Sequence, residues 1–320
     1  MPQFDIVCVG NAKIDEFLSI HEASSHLRLN KETNELCLKY GEKIPIDTLE
    51  VCLGGNAANV AVGLSRLGLM SGLVAEIGVD EFAARIKKGL ESEKVNTEFV
   101  KQTESQKTSV SVIISFHNER TILSQHIQRT HDFAFDNVQT QWIYLTSLGV
   151  EWKTAYQRAS DYIKQKSIKL AFNPGTLQID AGVENIKTVL EITNILFVNK
   201  EEAMMILNIK NQTSNVNDLL IALQKLGPKI AVITDGENGS YAINETGEFF
   251  TQGVIKTNIV EKTGAGDAYA SGFIATYISR NSLPDAMTAG TLNAASTMQK
   301  VGAQNGLLYK AEMETKLNAQ

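Results

Sequence analysis

The chain has 320 residues, of which 43% are apolar and 21% are charged, and its net charge is −6. These values are typical of a globular protein with a large core, and the negative charge argues against a nucleic-acid partner. No apolar run has the roughly 18 residues of a membrane span, the start lacks a signal peptide, and the three cysteines form no CxxC pair. We therefore expect a cytoplasmic protein without a membrane partner.

The first predicted element is a buried parallel strand, the apolar run FDIVCVG at Phe4–Gly10. Asn11 and Asp15 follow its carboxyl end, where open α/β sheets bind ligands. Short runs separated by turn residues at 13–53 predict two or three strands outside the main sheet, and 108–126, with the turn HNER, predicts a hairpin. Such additional strands are expected to form a lid or an interface.

The stretch GGNAANVAVGLSRLG at 54–68 predicts a helix, because its apolar residues recur at helical spacing. Gly54 and Gly55 begin it, and the side chains of Asn56 and Asn59 lie at the same end. The alternative is an asparagine cap on a core helix. Two glycines and two asparagines together favour a site for a ligand with several hydroxyl groups.

From residue 142 onward, strand-like and helix-like segments alternate. This alternation predicts a mostly parallel sheet with helices on both faces, in one α/β domain spanning 1–320. The strand-like runs are WIYLTSL, KLAFNP, NILFVN and IAVITD, and the helices are expected at Thr154–Gln165, Gly182–Ile192, Lys200–Asn208 and Ser214–Leu226.

Two of these strand ends carry polar residues. Asn199 and Glu202 are one helical turn apart and could orient a hydrated Mg²⁺ on nucleotide phosphates, although acidic residues in a first turn are also ordinary helix stabilisers. The turn after IAVITD could border a nucleotide, or it could be a plain turn. Its residues are Thr234, Asp235, Gly236 and Gly239.

The stretch TGAGDAYASGF at 263–273 follows a β-like run, Val254–Val260, and begins an apolar helix. Glycines here allow a cluster of N–H donors, formed by Gly264, Ala265 and Gly266, to face an anion at the positive end of the helix dipole. Asp267 lies beside that cluster and could accept a proton from a hydroxyl group during phosphoryl transfer. The alternative is a glycine-rich turn with an ordinary first-turn acid.

Other nucleotide motifs fit less well. A dinucleotide-binding GxGxxG would need Gly or Ala at the position of Tyr269, and no Walker GxxxxGK[ST] occurs.

Together, GGNAANVAVGLSRLG and TGAGDAYASGF resemble the two signatures of the ribokinase-like sugar kinase family, the PfkB carbohydrate kinases. The resemblance spans nearly the whole chain. It implies a Rossmann-like α/β domain with a small β-sheet lid, and an ATP- and Mg²⁺-dependent transfer of the γ-phosphoryl group to a hydroxymethyl group of a sugar. A nucleoside acceptor is the alternative within the family, and a non-catalytic ligand-binding relative is the alternative outside it. The lid strands could also join two copies into a homodimer.

The resemblance also implies roles for individual residues. Asp267 matches the catalytic base and Gly264, Ala265 and Gly266 match the anion hole, while Asn293 is similar to a residue at the adenine pocket. Asn199 and Glu202 match an element linked to Mg²⁺. Substrate contacts are implied for Asp15, Gly54, Gly55, Asn56 and Asn59, and nucleotide contacts for Thr234, Asp235, Gly236 and Gly239.

One departure from the family pattern precedes GAGD. The family commonly has Asp-Thr-x there, a segment that helps bind a monovalent cation in many relatives, whereas this chain has Glu261, Lys262 and Thr263. We expect a weak dependence on K⁺, because Glu261 is longer and Lys262 adds a positive charge.

Overall fold

The structure is a computed structural model that describes residues 3–20, 26–33, 35–104, 106–116, 119–125, 127–210 and 214–319. In chain order the strands are β1 (Phe4–Val9), β2 (Lys13–Ile20), β3 (Leu27–Asn30), β4 (Glu35–Leu38), β5 (Thr48–Gly54), β6 (Ser71–Ile77), β7 (Val100–Gln102), β8 (Val110–Phe116), β9 (Glu119–Ser124), β10 (Thr140–Thr146), β11 (Lys169–Asn173), β12 (Ile195–Asn199), β13 (Ile230–Thr234), β14 (Ser240–Ile243) and β15 (Phe249–Gln252).

The helices are α1 (Asn56–Arg66), α2 (Glu81–Ser92), α3 (Trp152–Lys166), α4 (Thr176–Asp180), α5 (Val183–Leu190), α6 (Lys200–Ile206), α7 (Val216–Gln224), α8 (Ala265–Arg280), α9 (Leu283–Thr297) and α10 (Lys310–Asn318). No helix in the described part of the chain is long and apolar enough to cross a membrane.

Nine strands form the main sheet in the order β15-β14-β13-β12-β11-β10-β1-β6-β7. All neighbours are parallel except the pairs β13–β14 and β14–β15. The predicted α/β architecture, mostly parallel with helices on both faces, is confirmed. Its parallel order places the carboxyl ends of β1, β10, β11, β12 and β13 at one edge, where the candidate site lies.

Side chains of the central strand alternate between two cores. Ile6 and Cys8 pack with α1, α8 and α9, whereas Val7 and Val9 pack with α3 and α5 on the other face. All four are fully buried. A strand buried on both faces needs a continuous apolar run, which is why FDIVCVG does not alternate with polar residues.

A separate small sheet has the order β5-β2-β8-β9. Lys13, Asp15 and Ser111 share one face of this sheet, because Asp15 pairs with Ser111 across β2 and β8 and Lys13 donates to the Ser111 hydroxyl. β3 and β4, which lie between β2 and β5 in the sequence, form a separate two-stranded ribbon. Residues 117–118 of the predicted HNER turn and His126 lie outside the described residues.

The predicted strand at Val254–Val260 is wrong. This segment is irregular, with Val254, Ile259 and Val260 between 40% and 48% exposed. Strand β15 ends at Gln252, and the Val260 N–H donates to the Met298 carbonyl after α9 instead of to a strand. The segment therefore runs from the sheet edge to α8 without a strand partner.

Candidate active site

The first turn of α8 lies at the carboxyl edge of the main sheet. Gly264 caps this helix with φ 82° and ψ 2°, a left-handed conformation that suits glycine. A Cβ atom at Gly264 would lie 2.4 Å from Ala303 Cβ. Gly266, in contrast, is helical, and a Cβ there would enter open space. The first N–H groups of a helix lack intrahelical acceptors, so this turn can bind an anion.

Asp267 lies in that first turn and contacts helix α1. Its Oδ2 accepts a hydrogen bond from Asn59 Nδ2 at 2.8 Å, and its Oδ1 accepts one from Asn56 Nδ2 at 3.3 Å. The side chain is buried, with 7% of the residue exposed. Two sequence motifs more than 200 residues apart thus meet at one carboxylate.

Burial raises the pKa of Asp267 to about 7, against an ordinary value of 3.8. The two asparagine donors lower this pKa, and the negative charge of Asp15 raises it further. Desolvation is the largest contribution, because a buried carboxylate loses its hydration. A carboxylate with a pKa near 7 is well suited to accept and release a proton at neutral pH.

A polar network orients the beginning of α1. Ser147 Oγ, after β10, donates to Asn56 Oδ1 at 3.2 Å, and Asn11 Nδ2, after β1, reaches Ser147 Oγ at 3.5 Å. Gly55 caps the helix with φ 95°, and a Cβ there would lie 2.5 Å from the Asn11 carbonyl oxygen. The glycine is therefore required for close packing of two backbone segments.

Asp15, on the small sheet, faces the same region. It is 4% exposed, its Oδ1 has no hydrogen-bond partner among the described residues, and Lys13 Nζ lies 3.9 Å from that oxygen. A Cβ at Gly54 would lie 1.9 Å from Asp15 Oδ2, so glycine makes room for the carboxylate. Burial raises the pKa of Asp15, while Lys13 lowers it. A buried acceptor without a partner is costly and suits a ligand hydroxyl group.

The turn after β13 forms a second polar region at the same sheet edge. Gly236 and Gly239 have positive φ angles of 51° and 89°, and residues 236–238 form a single turn of 3₁₀-helix. Asp235 forms an ion pair with Lys200 Nζ at 3.2 Å, and Thr234 ends the strand opposite Ser240. The ion pair between Asp235 and Lys200 thus joins this turn to the first residue of α6.

Asn199 and Glu202 form a reciprocal capping box at the start of α6. Asn199 Oδ1 accepts from the Glu202 N–H at 2.8 Å, and Glu202 Oε2 accepts from the Asn199 N–H at 2.9 Å. Burial raises the pKa of Glu202, against the effect of this hydrogen bond. The pair stabilises the helix whether or not it also faces a metal ion.

Comparison with known proteins decides the family. The sequence model of the pfkB family of carbohydrate kinases matches residues 16–310. The chain belongs to this family. Among its relatives, the 5-dehydro-2-deoxygluconokinase of Bacillus subtilis is 24% identical, with coverage of 99% of this chain and 97% of the relative. An uncharacterized sugar kinase of Archaeoglobus fulgidus is 25% identical over 77% of this chain and 98% of its own length.

Solved structures of the ribokinase family share the fold. Arabidopsis thaliana ribokinase, complexed with ribose and ATP, aligns with a TM-score of 0.80 at 18% identity, covering 98% of both chains. The nucleoside kinase of Methanocaldococcus jannaschii aligns with a TM-score of 0.78 at 20% identity, covering 100% of this chain and 99% of that one. The ribokinase-like fold predicted from the two signatures is confirmed.

Glu261 is buried, and both oxygens of its carboxylate accept hydrogen bonds. Glu261 Oε1 accepts from the N–H groups of Lys262 and Thr263 at 2.9 and 3.0 Å and from the Thr263 hydroxyl at 2.8 Å. Its Oε2 accepts from Ser115 Oγ at 2.8 Å, and Arg120 Nε lies 3.7 Å from Oε1. Glu261 thus connects the loop before α8 to strands β8 and β9 of the small sheet.

Asn293 lies inside the α8–α9 interface, with no exposed surface. Its Nδ2 donates to the Ala268 carbonyl and to Ser271 Oγ, and its Oδ1 accepts from the Leu308 N–H. The side chain therefore holds α8, α9 and the chain before α10 together. Its expected place at the adenine pocket stays a prediction.

Sequence reasoning did not single out four side chains that the structure brings to this region, namely Lys13, Ser147, Arg120 and Gln304. Ser147 was detectable in principle, because it lies near the carboxyl end of the predicted strand WIYLTSL and thus near the binding edge. The others depend on long-range packing. Gln304, for example, donates to Asn59 across 245 residues of sequence, and neither periodicity nor a motif marks it.

Proposed function

We propose that this protein is an ATP-dependent kinase that phosphorylates a hydroxymethyl group of a sugar. The observation that carries the proposal is Asp267, a buried carboxylate with a pKa of about 7 in the first turn of α8. It lies next to helix N–H groups that can hold a phosphoryl group and within electrostatic range of Asp15. General base and anion site are thus adjacent, as phosphoryl transfer requires.

In the proposed reaction the acceptor oxygen attacks the γ-phosphorus of ATP while its proton passes to Asp267. The bond between the γ-phosphorus and the bridging oxygen breaks, and ADP leaves with that electron pair. The N–H groups of Gly264, Ala265 and Gly266 hold the transferred group by hydrogen bonds to its oxygens, and the Ala265 N–H exchanges its 3.3 Å bond to the Lys262 carbonyl for this contact. Asn56 and Asn59 hold the Asp267 carboxylate in place for the proton.

The acceptor would bind between α1 and the small sheet, which then acts as a lid. The unpartnered Oδ1 of Asp15 supports a contact to sugar hydroxyl groups, together with the chain at Gly54, Gly55 and Asn56. Asp15→Ala should raise the KM for the acceptor about 10- to 100-fold, since hydrogen bonds to a charged group are strong. The KM for ATP should stay within about twofold of wild type, because the proposed contact of Asp15 Oδ1 is to the acceptor and not to ATP.

ATP would lie along the turn formed by Thr234, Asp235, Gly236 and Gly239. The donor set at Asn199 and Glu202 fits Mg²⁺ only indirectly, because the oxygens named above already accept N–H groups of the capping box. We propose that Glu202 contributes negative charge toward a hydrated ion. When bound to the phosphates, Mg²⁺ neutralises the charge that otherwise opposes nucleophilic attack.

We propose that activity does not require K⁺. Glu261 already accepts four hydrogen bonds and faces the Arg120 guanidinium, so the positive charge at this loop comes from the protein. Activity in K⁺, Na⁺ and a bulky organic cation at constant ionic strength should agree within about twofold, since specific coordination is what separates such ions. A tenfold rise specific to K⁺ would contradict this proposal.

The lid also offers a surface to a second copy of the chain. Val112 pairs with Leu123, and Leu18 pairs with Leu49, on the face opposite Asp15. Leu49 and Leu123 are 55% and 56% exposed, and paired apolar residues on an open sheet face favour association. We therefore propose a homodimer through this face. Light scattering should show a dimer in the wild type and a monomer in Leu123→Glu, and a monomeric wild type would rule it out.

The direct test of function is ATP consumption with a panel of acceptors. A suitable panel contains ribose, other aldoses, ketoses, 5-dehydro-2-deoxygluconate and adenosine. Ribose, the deoxygluconate and adenosine are included because relatives and structural neighbours carry the corresponding names. We expect ADP formation that depends on one sugar and is absent in Asp267→Asn. Turnover with adenosine and no sugar would instead favour a nucleoside kinase, and binding without turnover would favour a non-catalytic relative.

A further inference from the structure

The loop between α9 and α10 contains Gln304, whose side chain contacts Asp267 indirectly, through Asn59. Gln304 is 7% exposed, and its Nε2 donates to Asn59 Oδ1 at 2.9 Å. The other end of the same amide, Asn59 Nδ2, donates to Asp267 Oδ2 at 2.8 Å. The three side chains form a directed chain in which each amide donates toward the carboxylate.

The backbone of Gln304 is itself fixed by helix α1. Arg66 is seven residues after Asn59, two turns along the same face of the helix. Arg66 Nη1 donates to the carbonyl oxygens of Gln304 and Leu307 at 2.7 and 3.1 Å. Glu93 holds the same guanidinium through two hydrogen bonds of 2.6 and 2.9 Å. Gln304 therefore stands at a defined distance from Asn59.

An asparagine amide can present either its NH₂ or its oxygen to a neighbour. The Asn59 NH₂ stabilises an ionised Asp267, whereas its oxygen would repel the ionised form and accept from the protonated one. Since Gln304 donates to Asn59 Oδ1, it holds the NH₂ toward Asp267. We propose that Gln304 is a positioning residue that sets the amide orientation of Asn59 and thereby favours the ionised form of Asp267.

Other titratable groups face Asp267 from the neighbouring elements. They are Asp15 and Lys13 on β2, Cys8 on β1 and Tyr144 on β10. Burial raises the pKa of the Cys8 thiol and of the Tyr144 hydroxyl, so both stay neutral around pH 7. Lys13 lowers the pKa of Asp267, and Asp15 raises it. None of these groups contacts Gln304 through a hydrogen bond described above, so a change at Gln304 can be separated from them.

Two substitutions test the proposal. Gln304→Glu offers only acceptors when ionised, which turns the Asn59 NH₂ away from Asp267, and Gln304→Met removes the donor while keeping the length of the side chain. Gln304 lines a cavity of about 420 Å³ between β5, α1 and α2, where a glutamate can be hydrated. Gln299→Glu is the matched control, because Gln299 is exposed and donates only to the Ala295 carbonyl among its described partners.

The first readout needs no substrate. The ¹³C signal of the Asp267 carboxyl group, assigned by its loss in Asp267→Asn, reports the ionisation of this residue directly. We expect its pKa to rise by about one unit in Gln304→Glu, where the charge of the new carboxylate adds to the effect of the turned amide, and by less in Gln304→Met, with no change in Gln299→Glu. Because that charge raises the pKa whatever the amide does, Gln304→Met is decisive: an unchanged Asp267 titration in this variant, or in Gln304→Glu if Gln304→Met does not fold, would overturn the proposal.

The second readout is the pH profile of kcat/KM for the acceptor, and it rests on the proposed function. The acid limb should move to higher pH in Gln304→Glu, with about tenfold lower activity below the limb and recovery above it, since one pKa unit is a tenfold change in the ionised fraction. A uniform loss at every pH would indicate a merely structural role and contradict the inference. If Asp267→Asn keeps full activity, the proposed function fails, while the carboxyl titration still decides the role of Gln304.

Discussion

Two acidic residues occupy the same position in two helices and have different environments. Glu202 is the third residue of α6, whose cap is Asn199, and Asp267 is the third residue of α8, whose cap is Gly264. Glu202 folds back and exchanges hydrogen bonds with Asn199. The carboxylate of Asp267 instead accepts from two asparagines of α1.

The two caps differ in whether a capping box is completed. In α6 the backbone N–H of the cap donates to Glu202 and the Asn199 side chain accepts in return, which engages the acid within its own helix. Gly264 has no side chain to complete such a box, and Asp267, one methylene shorter than Glu202, accepts from α1 instead. The positive φ of Gly264 suits a turn whose N–H groups face an anion. The proposed base and the proposed anion site therefore lie in one helical turn.

The largest expected effect is on turnover in Asp267→Asn. This variant should lower kcat by about 10²- to 10⁴-fold, the usual contribution of a positioned general base. Binding of ATP should stay within about threefold, because the N–H groups of the turn are unchanged. Product formation measured at fixed times gives kcat, and calorimetry gives the affinity for ATP. A loss in kcat below tenfold would show that Asp267 is not the base.

The two glycines of the α8 turn should respond differently to alanine. Gly264→Ala should lower the free energy of unfolding by about 1–3 kcal/mol, because φ is positive and Ala303 is in the way. Gly266→Ala is the matched comparison, since its methyl group enters open space, and alanine is a better helix former than glycine. Denaturant unfolding of both variants tests this. Equal losses would mean that the cap geometry of α8 has no special role.

Asp267→Asn should also change how stability depends on pH. Because the folded pKa of Asp267 is about 7 and the ordinary value is 3.8, the folded state binds the extra proton between these values. The contribution of Asp267 to wild-type stability therefore falls as pH rises from about 4 to about 7, and Asp267→Asn should be more stable than wild type at pH 8 by about 1–3 kcal/mol. Melting curves at pH 4 and pH 8 measure the difference, which should be absent at pH 4.

The smallest effect is expected at Glu202. Glu202→Ala should reduce the free energy of unfolding by about 1 kcal/mol through loss of the capping box. Glu202→Gln can keep a hydrogen bond to the Asn199 N–H, so its loss should be smaller, but it removes the charge. We expect the Mg²⁺ concentration for half-maximal activity to rise a few-fold in Glu202→Gln, as for a charge acting through water. No change would leave Glu202 with a capping role alone.

The sequence predicted the parallel sheet because its buried strands are continuous apolar runs, and the two signature helices because their apolar residues recur at helical spacing. It also predicted an anion site beside Asp267, because glycines and an acid stand at the start of an apolar helix, and this site stays a prediction. The strand at Val254–Val260 was predicted wrongly, because an apolar run does not reveal whether a neighbouring strand is available. β15, which does pair with β14, was not predicted.

Side-chain partners across the fold were beyond sequence reasoning. The interpretation of Glu261 as a longer substitute for an aspartate could not include Ser115 and Arg120, because the register of β8 and β9 against the loop is a tertiary property. The packing of Asn293 between α8 and α9 was hidden for the same reason. A single sequence contains the elements but not the pairing of loops between them.

The most direct measurement of the central claim is the pH dependence of kcat/KM for the phosphorylated acceptor. This quantity reports the pKa of the essential base in the free enzyme. If Asp267 acts as the base, activity should rise tenfold per pH unit at acid pH and level off near pH 7, where burial places its pKa. A profile that is flat from pH 5 to pH 8 would contradict the account.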